Sequence, residues 1–237
     1  QETGDRHKEA MVLNNLGSLA QKHGNYLSSR VSYEQSLSNC RATGDRWSEG
    51  IVLSNLSLIE HSLGNHAQAY EEALRSETIM RELNNRSGLG AALTHMGHAL
   101  LGLNRLEDAE AAYRQSMAIR RDLGQNNLAI ESTAGLARVA MMRGDQAAAM
   151  RLVEEILTHL SGGNLDGTEE PYRVYLTCVQ VLTAAGDLRS DELLNKACQQ
   201  LEEQAKRIDD PLMQRSFLEK VPYHKELLAA RKKKSAK

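Results

Sequence analysis

The chain has 237 residues, 41% of them apolar, 25% charged and 4% aromatic, with a formal net charge of −2. That is room for one large domain or two small ones, without the basic surplus of a general nucleic-acid-binding surface. No apolar run approaches the roughly 20 residues that a membrane span needs. Cys40, Cys178 and Cys198 are odd in number and far apart, so neither a disulfide framework nor a cysteine-based zinc cluster is expected. A reducing, cytoplasmic setting is the corresponding expectation. Ala, Leu, Glu, Gln and Arg dominate over β-branched and aromatic residues, and all three prolines lie after residue 170. The chain is therefore expected to be all-α.

From the start, the chain repeats. Thr3-Gly4-Asp5-Arg6 returns as Thr43-Gly44-Asp45-Arg46, and at the same 40-residue spacing Leu16, Leu56, Met96 and Leu136 align. Gly24-Asn25, Gly64-Asn65, Asn104-Arg105 and Gly144-Asp145 align as well, followed by Ser29, Ala69, Ala109 and Ala149. Each unit reads as two helices joined by a left-handed turn. Leu13, Leu16, Gly17 and Ala20 form the apolar stripe of the first helix, and Ser29, Tyr33, Ser36 and Leu37 that of the second. Small residues at 17 and 29 leave space that Tyr33 is large enough to fill. No such pair can bury its own apolar surface, so the pairs must stack.

The pattern Leu-x-x-Leu-Gly, a turn, then Ala-x-x-x-Tyr-x-x-Ser resembles the tetratricopeptide repeat, whose usual period is about 34 residues. The six additional residues here amount to about 9 Å of helix shared between the two arms. This long form is similar to the repeats of kinesin light chains and to the C-terminal repeat arms of bacterial multidomain signalling ATPases and transcription regulators. The resemblance implies an all-α right-handed solenoid of antiparallel hairpins, with the first helices lining a concave groove. It covers residues 4–160 strongly.

Residues 1–160 are thus read as four repeats and 161–171 as a polar, Gly-rich linker. Residues 172–208 form a fifth, degenerate pair, 209–230 a capping helix opened by Asp209-Asp210-Pro211, and 231–237 a frayed basic tail. Phe217, Leu218 and Val221 are expected to cover the end of the stack. Glu2–Asp5 occupies the phase that follows a second helix elsewhere, so a preceding repeat and a covalently attached upstream effector domain are expected.

The candidate binding residues lie on the first helices, opposite the packing stripe. They are Asn14, Asn15 and Ser18 in the first unit, with Met11, Gln21 and Lys22 beside them. Asn55 and Leu58 follow in the second unit, with Ile51, Ser54 and His61, and His95 and His98 in the third, with Leu101. Arg138 and Met141 represent the fourth unit, with Glu131 and Met142, and Arg173 and Gln180 continue the row, with Thr177. Carboxamides both donate and accept, which suits the backbone of an extended peptide. Arginines suit a carboxylate, and Leu and Met suit apolar side chains. The family's clamp for a terminal carboxylate combines several basic residues with Asn, and only Lys22 and Asn15 approach it here. The opposing reading is that Asn15 and Asn55 serve only to bond neighbouring helices and that the apolar groove residues cover one another. Trp47, which recurs in no other unit, reads as a partly buried joint between units.

His95-x-x-His98 with His61 lacks the further ligands that zinc requires, so no metal or other cofactor is expected. No phosphate loop or nucleophile motif appears, so no enzyme activity is expected either. Lys232–Lys234 reads as a solubilising tail, and neither nucleic acid nor membrane is expected as a partner. The functional expectation is a module that binds a peptide or helical segment of a partner protein, as the sensor or scaffold arm of a larger signalling protein. A structural arm that self-associates or restrains an attached ATPase is the alternative. A small-molecule sensor near His95, His98 and Arg138 comes third.

Overall fold

The computed structural model describes residues 2–235 of the chain, with side chains for 5–234. Among the described residues every regular element is an α-helix. The chain divides into two compact units, one ending at Leu123 and one starting at Gly124.

The first unit contains three hairpins: α1 (Glu2–Lys22) with α2 (Tyr26–Thr43), α3 (Arg46–Ser62) with α4 (His66–Glu82), and α5 (Arg86–Gly102) with α6 (Leu106–Asp122). Each hairpin closes within itself, and α2 packs on α3 as α4 packs on α5. The turn inside each hairpin needs one residue with positive φ. Gly24 supplies it at 71° and Gly64 at 86°, while Asn104 supplies it at 59°, asparagine tolerating that region better than other side chains. The starts of α3 and α5 are capped by side chains: Asp45 accepts from the Ser48 N–H at 3.0 Å and Asn85 from the Gly88 N–H at 2.9 Å. Thr3-Gly4-Asp5, expected to punctuate the chain as Thr43-Gly44-Asp45 does, instead lies inside α1.

Within the hairpins the close approach is that of small residue against tyrosine. A Cβ at Gly17 would lie 2.6 Å from the Tyr33 ring, and one at Gly97 would lie 2.5 Å from Tyr113. Both tyrosines are fully buried. A second lock is made by serines. Ser36 Oγ donates to the Ala10 carbonyl, Ser76 Oγ to that of Gly50 and Ser116 Oγ to that of Gly90, each at 2.7 Å. Leu16 departs from its expected place. It is half exposed, because it points away from α2 at a position that a preceding hairpin covers in the later repeats.

The second unit contains α7 (Asn126–Met142) with α8 (Gln146–Gly162), then α9 (Pro171–Ala184) with α10 (Arg189–Ala205), and finally α11 (Pro211–Glu219) and α12 (Pro222–Ser235). The connector 163–170 is pinned at several points. Leu165 is buried in the core, the Asn127 amide donates to the Asp166 carbonyl at 2.6 Å, and the Glu170 N–H donates to Glu131 Oε1 at 2.8 Å. Desolvation beneath this connector, with Glu169 and Glu170 adding negative charge, pushes the Glu131 carboxyl up to about 8.

The single capping helix expected over 209–230 is two helices. Asp210 caps α11 by accepting from the Leu212 N–H at 2.7 Å and the Met213 N–H at 3.2 Å. The chain then breaks at Val221, and Pro222 opens α12. Phe217, Val221 and Leu227 are buried, and α12 packs on α9 and α10. The basic segment is helical through Ser235 rather than frayed: Arg231 pairs with Glu202 and Lys234 with Asp191. Residues 236 and 237 lie outside the described residues.

Candidate functional site

The first-helix face of the first unit is built from α1, α3 and α5. Near the start of α3, the first two of these enclose an apolar cavity of about 190 Å³, lined among others by Ala10, Met11, Asn14, Asn15, Trp47, Ile51 and Val52. Trp47 is 56% exposed and lines this cavity between the first helices of the first two repeats. It sits in the first turn of α3, where Asp45 holds the helix start and itself bonds His7 Nδ1 at 3.0 Å. Burial opposes ionisation of Asp45, but the Ser48 N–H, the Ser48 hydroxyl and His7 together hold its carboxyl below the usual range.

Along α1 and α3 the polar candidates separate by partner. The Asn55 amide donates to Asn14 Oδ1 at 3.0 Å and so ties α3 to α1. Ser18 Oγ is 3.0 Å from the Tyr33 hydroxyl, which donates to Gln21 Oε1 at 3.1 Å. Asn15 is exposed at the cavity edge.

Further along the row, the apolar and imidazole candidates are covered. Leu58 is 2% exposed and Leu101 is also buried, so neither presents the open apolar surface expected of it. His95 is buried, with Nδ1 at 2.9 Å from both Ser54 Oγ and the Ser54 carbonyl oxygen. His98 is buried with Nδ1 at 2.6 Å from the Tyr113 hydroxyl. Its ring centroid lies 5.8 Å from that of His61, which is 4.9 Å from His66. Despite this histidine row, no group of three or more His, Cys, Asp or Glu among the described residues is arranged to hold a metal ion. The imidazoles act as spacers and hydrogen-bonding partners between helices.

The remaining candidates belong to the second unit. Arg138 is half-buried on α7, and Met141 packs partly against that unit's core. Arg173 Nη1 pairs with Glu170 at 2.5 Å, Thr177 is buried, and the Gln180 amide reaches Glu226 of α12 at 3.5 Å. Arg173 therefore holds the connector rather than an open carboxylate site. The connector also walls a second, polar cavity of about 450 Å³, with Tyr172, Tyr175, Gln204 and Arg207 among its lining residues. Sequence reasoning treated this stretch as a linker and did not identify the cavity. Nor did it identify the serine locks, although Ser36, Ser76 and Ser116 carry the signal in their 40-residue spacing.

Residues 48–122, which span α3 to α6, match the model of the tetratricopeptide repeat family. This segment is of the tetratricopeptide-repeat kind, and the hairpins on either side of it share its helix-turn-helix form. No curated protein matches the sequence significantly. Among solved structures, the chain is similar to a Rap protein complexed with Competence and Sporulation Factor, at 15% identity and a TM-score of 0.67, over 97% of this chain and 65% of that one. It is likewise similar to the Rap conjugation gene regulator of the plasmid pLS20 in complex with the Phr* peptide, at 15% identity and a TM-score of 0.72, over 94% and 66%. A putative kinesin light chain of Podosopora anserina with TPR-like repeats aligns at 16% identity and a TM-score of 0.58, over 84% and 97%. The chain thus spans just under two thirds of the length of both Rap chains. Among the described residues, no helix is long and apolar enough to cross a membrane.

Proposed function

We propose that this chain is a protein-interaction module that binds an extended peptide of a partner protein along the first-helix face of its first unit. The observation that carries this reading is the apolar cavity between α1 and α3, with an exposed tryptophan and an exposed carboxamide at its edge. A cavity of about 190 Å³ suits one aliphatic or aromatic side chain of the peptide. Trp47 supplies a large contact area with little rotamer entropy to lose, and Asn15 offers a donor and an acceptor to the peptide backbone. The Phr* peptide bound in the similar Rap conjugation gene regulator supports the peptide class for this fold. The role as an arm of a larger cytoplasmic signalling protein belongs to the same proposal.

The test is selection from a random peptide display library, followed by fluorescence polarisation on the enriched peptides. Trp47→Ala and Asn15→Ala are expected to weaken binding about tenfold or more, equivalent to about 1.4 kcal/mol, with helix content unchanged by circular dichroism. Enriched peptides indifferent to both substitutions, or no enrichment at all, would overturn the assignment.

A further inference from the structure

The polar cavity of the second unit carries a signal of its own. Pro171, Tyr172 and Tyr175 of α9 form its floor, and the connector and the last turns of α10 form its walls. Both tyrosines are buried, and the Tyr172 hydroxyl fixes one wall by donating to Gln204 Oε1 at 2.9 Å. Burial pushes the Tyr172 phenol up to about 12, so this donor is retained through the neutral range. The facing wall is fixed as well. Leu165 anchors it in the core, and Asn164 grips Asp166 twice, accepting from its N–H at 2.9 Å and donating to Oδ2 at 2.6 Å. A volume of about 450 Å³ lies in the range of small-molecule sites.

Three charged side chains line this cavity, and none neutralises another. Asp166, Glu203 and Arg207 enter no ion pair among the described residues. Glu203 and Arg207 stand four residues apart, the spacing at which such a pair closes along a helix. Here α10 ends at Ala205, and Glu203 Oε1 accepts from the Gln199 amide at 3.0 Å instead. Two carboxylates and one guanidinium thus face one enclosed volume over an aromatic floor. Their complement is a small molecule with two cationic groups and one anionic group. A free amino acid with a basic side chain has that charge set: an α-ammonium, a side-chain cation and a carboxylate.

We propose that this cavity binds a free basic amino acid, its carboxylate on Arg207 and its two cationic groups on Asp166 and Glu203. Guanidinium and carboxylate match as two parallel hydrogen bonds, which suits both Arg207 to the ligand and an arginine ligand to either acid. The methylene stem of the ligand lies over Tyr172 and Tyr175, as the stems of long basic side chains lie on apolar surface. Gln204, its oxygen taken by Tyr172, keeps its amide N–H groups for the ligand carboxylate. A neutral amino acid leaves one carboxylate unmatched, and an acidic one is repelled by both. Occupancy joins the connector to α10 and stabilises the second unit by mass action. Nothing in this site belongs to the first unit, so amino-acid binding and peptide binding succeed or fail independently.

Isothermal titration calorimetry of the whole chain with L-arginine and L-lysine tests this directly. Saturable binding at one site is expected, with a dissociation constant below about 1 mM. L-Citrulline, which lacks the side-chain cation, and L-argininamide, which lacks the carboxylate, should each bind at least about tenfold more weakly. N-Acetyl-L-arginine, which lacks the α-ammonium, should be weakened to a similar degree. Its binding as tightly as L-arginine would overturn the free amino acid in favour of the C-terminal residue of a chain. Arg207→Gln should weaken L-arginine about tenfold without weakening L-argininamide, and Glu203→Gln should weaken both. Both side chains are exposed, so the helical spectrum should not change. No saturable heat with either amino acid would overturn the proposal. So would L-arginine binding that both substitutions leave intact.

Discussion

His224 shows how one buried residue can set the acid limit of a domain. Its ring is enclosed by Tyr172, Phe217 and Tyr223, with centroids at 4.8, 4.5 and 4.9 Å, and its Nδ1 lies 2.8 Å from the Phe217 carbonyl oxygen. That partner is an acceptor, so Nδ1–H donates. Desolvation pushes the imidazole down to about 4. In the unfolded chain it protonates near its ordinary value of about 6.5. As pH falls from there to about 4, the unfolded state takes up a proton that the folded state refuses. The second unit should therefore lose stability on the order of 3 kcal/mol across that window. Glu131 acts in the opposite sense: its raised carboxyl, at about 8, makes the folded state less stable as pH rises from the ordinary carboxylate range towards 8. Thermal melts at several pH values should thus peak in mildly acidic buffer. His224→Phe should flatten the acid side, and Glu131→Gln the alkaline side. Melting temperatures that vary equally with pH in the wild type and both variants would contradict these assignments.

Among the elements, α11 and α12 have the plainest structural task. Phe217 and Leu227 belong to the same buried cluster as Leu194, Leu201 and Tyr172, so removing Pro211–Lys237 strips the cover from α9 and α10. The truncated chain should aggregate on light scattering at concentrations where the whole chain stays dispersed, because a large apolar patch is then exposed. A truncated chain that scatters and melts like the parent would show that the cap is dispensable. Helices and turns of this kind were legible in the sequence because they depend on spacing alone. Gly17 against Tyr33 needs only a small residue and a large one in register, and that register was read from the repeat. Exposure on the first-helix face was less legible. Leu58 and Asn15 stand on the same face by periodicity, yet one is buried and the other open. The difference is set by how closely the adjacent first helix approaches, which a single helical period does not encode. The same reason hid the cavity beside Trp47, which needs α1 and α3 together.

On the scale of the molecule, the two units differ in what holds them. The core of the second is one continuous cluster from Ile130 to Leu227, whereas the buried residues of the first include separate groups that each bridge successive hairpins, such as Tyr33 with Leu56 and Met80 with Leu93. A fragment comprising residues 124–237 should accordingly fold by itself with one cooperative thermal transition. A fragment that gives no far-ultraviolet helical signal, or melts without a sigmoid, would refute that autonomy.

The serine locks carry a last consequence. Ser36, Ser76 and Ser116 grip main-chain oxygens of the facing helix at Ala10, Gly50 and Gly90, and every amino acid presents that oxygen. The latch of each hairpin is therefore indifferent to most of the side chains that its first helix displays. Met11, Asn15 and Ile51 can be exchanged without touching the latch, so a new binding preference can be selected on this scaffold while the hairpins remain closed.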